Sequence, residues 1–236
     1  LAAVGELAAA IAHEIRNPLA SISGSVEMLG SVGAEAGESR GRLLDIVMRE
    51  TERLDKLITD FLGYARPQTP EPSPTDMGPV VRETVEAFRR SLPSPDDGAA
   101  VVVEVEDAGD TWASVDGGQI RQVLWNLLRN AEVAMPEGGR ITVSLVRERV
   151  LDEGHPDLVW VRVGDQGPGI SPAILDRIFD PFYTTRKEGT GLGLAICQRI
   201  VEDHDGDLSV TCPEEGGAVF SMRLRAASPG VSEAVA

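Results

Sequence analysis

The chain has 236 residues, which is enough for one or two domains. Its 42% hydrophobic and 25% charged residues are typical of soluble globular proteins, and no apolar run reaches the roughly 18 residues of a membrane helix. A net charge of −16 repels phosphate groups, which excludes nucleic acids and anionic lipid surfaces as partners. The two cysteines, Cys197 and Cys212, have no metal-ligand spacing and form no disulfide framework, which fits a reducing cytoplasm.

Residues 1–66 predict an antiparallel pair of amphipathic helices. Apolar residues recur at helical spacing from Val4 to Leu29 and from Leu43 to Phe61, with glycines marking a turn between them. Because one hairpin buries only part of its apolar surface, we expect two copies to pair as a four-helix bundle in a homodimer. The helical pattern is already under way at Leu1, so we expect a missing upstream region, through which alone the protein would contact a membrane.

A proline-rich linker follows the hairpin and precedes a second domain. Five of the residues 66–79 are prolines, and we place an extended linker at 67–79. The second domain, 80–226, predicts helices and strands at Val80–Arg90, Val101–Glu106, Gly118–Met135, Ile141–Arg147, Leu158–Gly164, Leu192–Asp203, Asp207–Cys212 and Ala218–Leu224. The whole chain is then an α+β protein whose second domain is an α/β sandwich, one helical layer on one mixed sheet. We expect residues 227–236 to be a disordered tail.

His13 lies opposite the apolar stripe of the first helix, and Asn17 lies one turn further along the same face. Glu14 lies to the side, within reach of the imidazole. A neutral imidazole nitrogen is a nucleophile at physiological pH, and a neighbouring carboxylate can hold its tautomer and stabilise the developing charge. Taken alone, however, His13 is read as an ordinary surface histidine.

Two segments of the second domain combine polar side chains with glycine. Asn126 and Asn130 share one helix face, and their amide oxygens suit Mg²⁺. Asp165 follows a strand and can accept a hydrogen bond from an adenine amino group, while Gly167 and Gly169 let the backbone pass close to a base. Each pattern alone is also explained by ordinary helix-surface or loop composition.

Two further segments lie downstream. Ile178-Phe-Asp-Pro-Phe182 places two aromatic residues where they could anchor a loop on the core. Gly189-Thr-Gly191-Leu-Gly193 precedes a helix, so its backbone N–H groups could cradle phosphates. The glycine spacing matches neither the Gly-Lys-Ser/Thr phosphate loop nor the dinucleotide-binding fingerprint.

The string His-Glu-Ile-Arg-Asn-Pro-Leu at 13–19 closely resembles the H-box of sensor histidine kinases. The four segments, in this order and spacing, resemble the N, G1, F and G2 boxes of their ATP-binding domain, a fold shared with gyrase-type and chaperone-type ATPases. The resemblance covers nearly the whole chain and implies that His13 accepts the phosphoryl group, that Glu14 is its assisting base and that Asn17 positions water for dephosphorylating a partner. The short lid at 183–190 looks like that of the nitrogen-regulation and pilus-regulation branch.

The same resemblance assigns the nucleotide site by position. It implies that Asn126 and Asn130 hold Mg²⁺ and phosphates, that Asp165 reads adenine, and that Arg186 or Lys187 lies near the γ-phosphate. The implied ATP-binding set is Asn126, Asn130, Asp165, Gly167, Gly169, Phe182, Arg186, Lys187, Gly189, Thr190, Gly191, Leu192 and Gly193. Two positions depart from the family pattern: His204-Asp-Gly stands for His-Gly-Gly, which suggests a structural histidine, and Glu132 follows Asn-Ala.

The function implied is ATP-dependent autophosphorylation of His13, followed by transfer to an aspartate of a response-regulator receiver domain, with phosphatase activity toward that regulator. Two other readings stay open. A gyrase-like or chaperone-like ATPase would share the pocket but would not require the 13–19 string. A degenerate kinase serving as a dimeric scaffold would be expected to have a damaged ATP box, and all four boxes are complete.

Overall fold

The computed structural model describes residues 2–31, 37–65, 69–93, 100–150, 157–186 and 189–229. The chain forms two compact units, one of residues 1–67 with 180–193 and one of residues 68–179 with 194–236. Among the described helices, none is both long enough and apolar enough to cross a membrane.

The first unit is built on a helical hairpin, as predicted. Helix α1 (Ala2–Ser31) packs along helix α2 (Gly37–Ala65). Of the glycines at 30, 33, 37 and 41 that mark the predicted turn, Gly30 lies inside α1, and Gly37 and Gly41 lie in α2. Residues 180–193 belong to this unit although they are far away in sequence, and their Leu192 is as completely buried as Leu57 of α2. The periodicity of the helices gave no indication of this addition.

The second unit is the predicted mixed sheet with helices. Its elements are β1 (Ser73–Asp76), α3 (Met77–Ser91), β2 (Val101–Asp107), β3 (Trp112–Val115), α4 (Gly117–Ala134), β4 (Gly139–Glu148), β5 (Leu158–Asp165), a 3₁₀ turn (Leu175–Arg177), α5 (Gly193–Glu202), β6 (Asp207–Thr211) and β7 (Val219–Arg225). The large sheet has the order β2-β4-β5-β7-β6, in which only the β2–β4 pair is parallel.

The core of this unit lies between the sheet and helices α3 and α4. Alternate residues of β4, Ile141, Val143 and Leu145, are buried, as a strand with one covered face requires. They share one apolar cluster with Leu127 and Leu128 of α4. This core therefore fixes α4 relative to the sheet. The predicted site residues lie on α4 and at the carboxyl end of β5.

Two features differ from the sequence prediction. The predicted linker contains β1, which pairs antiparallel with β3 and leads directly into α3 at Met77. Neither short strand was predicted, because proline-rich composition masks the first and the second has only four residues. The predicted tail is ordered at its start, since the Ala227 N–H donates to the Trp112 carbonyl.

Candidate functional site

The string of residues 13–19 lies on α1, and Pro18 lies inside this helix without ending it. The Glu14 carboxylate lies 3.7 Å from the Arg53 guanidinium of α2, and Arg53 also lies 3.8 Å from Glu50. Asn17 is exposed. His13 belongs to the helix, but its side chain falls outside the described part of the chain. Glu14 is thus tied to α2 by a cation that the sequence analysis did not single out.

Asp165 ends β5, and its side chain is held by the backbone. Its Oδ1 accepts hydrogen bonds from the N–H groups of Gly167 at 2.8 Å and Ala218 at 3.3 Å. A Cβ on Gly167 would lie 2.9 Å from this same oxygen and 3.0 Å from the carbonyl oxygen of Ala134. Packing within the protein therefore requires glycine at 167, and backbone N–H groups orient the Asp165 carboxylate.

A second glycine contact braces the Asp165 loop. The Gly217 N–H donates to the Gly167 carbonyl at 2.8 Å, and a Cβ on Gly169 would lie 2.8 Å from the Gly217 carbonyl oxygen. Both Gly169 and Gly217 have positive φ, at 74° and 81°. Side chains at these positions would be strained as well as crowded. Gly217 was not predicted, although the Gly-Gly pair at 216–217 marks a turn that the sequence does show.

Helix α4 carries the two asparagines, both half-buried. The helix begins after Asp116, whose Oδ1 accepts hydrogen bonds from the N–H groups of Gly118 and Gln119. Burial raises the pKa of the Asp116 carboxyl, but hydrogen bonds from the backbone N–H groups of Gln119, Glu71 and Gly118 outweigh it and hold the pKa below its ordinary value. This cap fixes where α4 starts and hence the register of Asn126 and Asn130.

His204 is a structural residue, as its sequence context suggested. The ring is buried, its Nδ1 lies 2.7 Å from the Ile200 carbonyl oxygen, and its Nε2 accepts from the Asp116 N–H at 3.0 Å. These partners require a neutral ring protonated on Nδ1. His204 thus connects the end of α5 to the start of α4, and Asp205 beside it has a positive φ of 55° in place of the family's glycine.

The glycine-rich segment, residues 189–193, belongs to the first unit and contacts the Phe182 backbone. The Phe182 N–H donates to the Gly191 carbonyl at 3.0 Å, and a Cβ on Gly191 would lie 2.4 Å from the Phe182 carbonyl carbon. Phe182 itself has a φ of 65°, which is strained for an aromatic residue. These backbone contacts therefore hold Phe182 beside Gly191.

The other two glycines of the segment differ in their surroundings. A Cβ on Gly189 would lie 2.6 Å from the Thr184 hydroxyl oxygen, whereas a Cβ on Gly193 would meet nothing within 4 Å. Packing explains glycine at 189 but not at 193, the first residue of α5. Open space at the amino end of a helix suits the close approach of a phosphate to the backbone. Arg186 is exposed, and Lys187 lies outside the described residues.

Thr190, between these glycines, contacts the hairpin. Its Oγ1 donates to Oδ2 of Asp60 on α2 at 2.8 Å and accepts from the Leu192 N–H at 3.4 Å. Thr190 is only 7% exposed and Leu192 is fully buried. The predicted phosphate segment is thus attached to α2 by a hydrogen bond to a carboxylate.

Comparison with known proteins identifies both regions. Residues 3–70 match the His Kinase A (phospho-acceptor) domain, and residues 115–228 match the histidine kinase-, DNA gyrase B-, and HSP90-like ATPase family. The solved catalytic domain of histidine kinase ThkA is 31% identical, with a TM-score of 0.55 over 66% of this chain and 95% of that chain. The chain belongs to the histidine kinase family.

Longer relatives extend this similarity over both units of the histidine kinase. The structure of ThkA in complex with response regulator protein TrrA has a TM-score of 0.76 and 27% identity, covering 96% of this chain and 63% of that chain. Sporulation kinase E of Bacillus subtilis is 33% identical over 94% of this chain, and sensor histidine kinase ZraS of Salmonella typhi 34% identical over 95%. This chain spans 28% and 46% of the length of these two relatives.

The family and the fold of the histidine kinase are confirmed by these similarities, and the assignment to a branch stays a prediction. Within the second unit, the structure brings Asp165, Gly167 and Gly169 together, and within the first it joins Phe182 to Gly191. Sequence analysis missed the residues that support these contacts from a distance along the chain: Arg53, Asp60, Asp116 and Gly217. Each is an ordinary helix or turn residue by composition, and only its spatial neighbour gives it a role.

Proposed function

We propose that the chain binds ATP and transfers the γ-phosphoryl group to its own His13, and that the phosphoryl group then passes to an aspartate of a response-regulator receiver domain. The observation that carries the proposal is the presence, in one chain, of the His13 string on α1 and of a complete Asp165 loop whose carboxylate is oriented by two backbone N–H groups. The string on α1 supplies a nucleophile, and the Asp165 carboxylate supplies a hydrogen-bond acceptor for the adenine amino group.

The transfer step needs little covalent assistance from the protein. An imidazole nitrogen of His13 forms a bond to the γ-phosphorus while the bond from that phosphorus to the β,γ-bridging oxygen breaks, and ADP leaves with the electron pair. Glu14 hydrogen-bonds the other ring nitrogen and stabilises the imidazolium that forms. Arg53, 3.7 Å from Glu14, restrains this carboxylate from the neighbouring helix.

The nucleotide is held by groups that suit each of its parts. The Asp165 carboxylate accepts from the adenine amino group, with Gly167 and Gly169 beside the base. The open space at Gly193 admits a phosphate to the first turn of α5. The further phosphate contacts that we assign to the segment are those of Gly189, Thr190, Gly191, Leu192, Phe182, Arg186 and Lys187.

Two half-buried amides at i and i+4 of α4, Asn126 and Asn130, offer oxygens of the kind that Mg²⁺ takes alongside phosphate oxygens. These residues fit the ion, and we assign them to hold it. When bound, Mg²⁺ neutralises negative charge on the phosphates.

The hairpin serves dimerisation and regulator docking in this proposal. Its exposed large apolar side chains are consistent with a four-helix bundle formed by two copies: Leu19, Val26, Met28, Leu44, Met48, Ile58 and Leu62. Asn17, exposed on the helix that carries His13, is placed to position water during dephosphorylation of the regulator.

Labelling with γ-³²P-ATP tests the proposal. Wild type and His155→Gln are expected to gain acid-labile label, whereas His13→Gln is expected to gain none while binding ATP with unchanged affinity. His155 is the matched control because it removes a histidine for which no role is proposed. Label on His13→Gln would contradict the assignment, and ATP hydrolysis by wild type without any protein label would favour the ATPase alternative.

A further inference from the structure

Asp60 places a carboxylate against the segment to which we assign the phosphates of ATP. Its Oδ2 lies 2.8 Å from the Thr190 hydroxyl oxygen, and the hydroxyl donates to it. Thr190 is buried, and Asp60 is half-buried on α2. A hydrogen bond to an ionised acceptor in a partly buried place is stronger than one between neutral groups. This hydrogen bond therefore holds Thr190 against α2.

The same contact opposes the binding of an anion. While Thr190 Oγ1 donates to Asp60, its hydroxyl proton is not available to a phosphate oxygen, since a hydroxyl has one proton to donate. The Asp60 charge also repels a polyphosphate that approaches the segment. Gly191 and Leu192 follow directly in the chain, and Leu192 donates its N–H back to Thr190 at 3.4 Å, so moving Thr190 moves the segment.

We propose that Asp60 and Thr190 form a latch, which holds the glycine-rich segment on α2 in the absence of nucleotide and which ATP must open. The proposal rests on the proposed function, because it assumes that this segment binds phosphates. Asp60 is then a positioning residue, because it acts on the nucleotide site through Thr190. The coupling is reciprocal: the contact with α2 weakens ATP binding, and ATP binding weakens the contact of the segment with α2 by the same factor.

The latch sets a quantitative expectation for nucleotide affinity. If only the open state binds, the apparent dissociation constant equals the intrinsic one divided by the open fraction. A latch that is closed about nine-tenths of the time weakens the apparent affinity about tenfold. Removing the latch is therefore expected to tighten nucleotide binding, which is opposite to the loss expected when a binding residue is removed.

The experiment is calorimetric titration of the full chain with AMPPNP and Mg²⁺. Asp60→Ala is expected to bind about tenfold more tightly than wild type, and Asp60→Asn to show a smaller gain, since the amide oxygen still accepts from Thr190 but carries no charge. Asp55→Ala is the matched control: it removes an exposed carboxylate from the same helix and is expected to leave the affinity unchanged. In a Thr190→Val background, Asp60→Ala is expected to give a clearly smaller gain than in wild type, because the hydrogen bond is already absent and only the repulsion between the Asp60 charge and the phosphates is left to remove.

Hydrogen exchange provides a second readout that does not depend on the folding of one variant. In wild type, AMPPNP is expected to speed amide exchange in the carboxyl half of α2, and in Asp60→Asn this response is expected to be small. Equal or weaker nucleotide affinity in both Asp60 variants, or an Asp60→Ala gain that is as large in the Thr190→Val background as in wild type, would overturn the latch while leaving nucleotide binding intact. No nucleotide binding by any variant would overturn the proposed function and the latch together.

Discussion

The hairpin exposes seven of its large apolar side chains, whereas the larger second unit exposes four and packs most of its own in one core. Met48 of α2 is 63% exposed, while Leu128 of α4 is fully buried. Among the described residues, the two units therefore differ in how their large apolar side chains are covered. The second unit contains its own core, whereas the hairpin leaves apolar residues exposed that a second copy would cover in the proposed dimer.

The largest effect is expected in the core of the second unit. Leu128→Ala should lower the free energy of unfolding by about 2–5 kcal/mol, because it leaves a cavity among buried side chains. Val133→Ala, on the same helix but 50% exposed, should change it by less than about 0.5 kcal/mol. Denaturant unfolding of both variants checks the contrast. Equal losses would show that burial on α4 does not separate these two positions.

The glycine-rich segment offers the next contrast. Gly191→Ala combines a positive φ with a Cβ 2.4 Å from the Phe182 backbone, so it should cost about 1–3 kcal/mol of stability. Gly193→Ala meets open space and should unfold like wild type. It should nevertheless bind AMPPNP more weakly, because its methyl group occupies the space assigned to phosphate. Thermal unfolding with and without AMPPNP measures both effects. Unchanged AMPPNP affinity in Gly193→Ala would contradict the assignment of a phosphate contact to this position.

The exposed hairpin residues predict self-association. Met48→Glu should weaken the dimer about tenfold or more, since it places a charge on an apolar surface that the partner would bury. Glu52→Ala, an exposed change on the same helix, should leave the dimer intact. Sedimentation equilibrium at several concentrations gives the two dissociation constants. A dimer unaffected by Met48→Glu would place the interface elsewhere.

The smallest expected effect concerns the cap of α4. Because the folded pKa of Asp116 lies below its ordinary value, the ionised carboxylate stabilises the fold at pH values above that ordinary value, and this contribution is lost as pH falls through the lower folded value. Asp116→Ala should cost about 1 kcal/mol near neutral pH, as capping residues do, and less in strong acid. Unfolding measured from pH 6 downward tests the sign: a difference that grows in acid would contradict it.

Periodicity and turn residues were sufficient to predict the hairpin, the five strands of the large sheet and the three helices of the second unit. They succeeded because each of these elements buries one regular face, as Ile141, Val143 and Leu145 do in β4. The short strands β1 and β3 were missed, because four-residue strands contain too few repeats for a period.

The site was predictable only where the residues that form it are close together in the sequence. Asp165, Gly167 and Gly169 are adjacent in sequence, and the structure joins them by the expected loop contacts. Asp60 and Thr190 are 130 residues apart, and neither residue type indicates the other. The same holds for Glu14 and Arg53, whose pairing depends on the register of two helices. Tertiary contacts of this kind leave no local pattern to read.

The central claim is that the hairpin accepts the phosphoryl group and the second unit supplies nucleotide binding. Its most direct test is mass spectrometry of the wild-type chain after incubation with ATP and Mg²⁺, with digestion and separation kept near neutral pH to preserve phosphohistidine. The account predicts a phosphorylated peptide that ends at Arg16 and carries the modification on His13. Modification of a different residue, or none despite measured ATP binding, would contradict it.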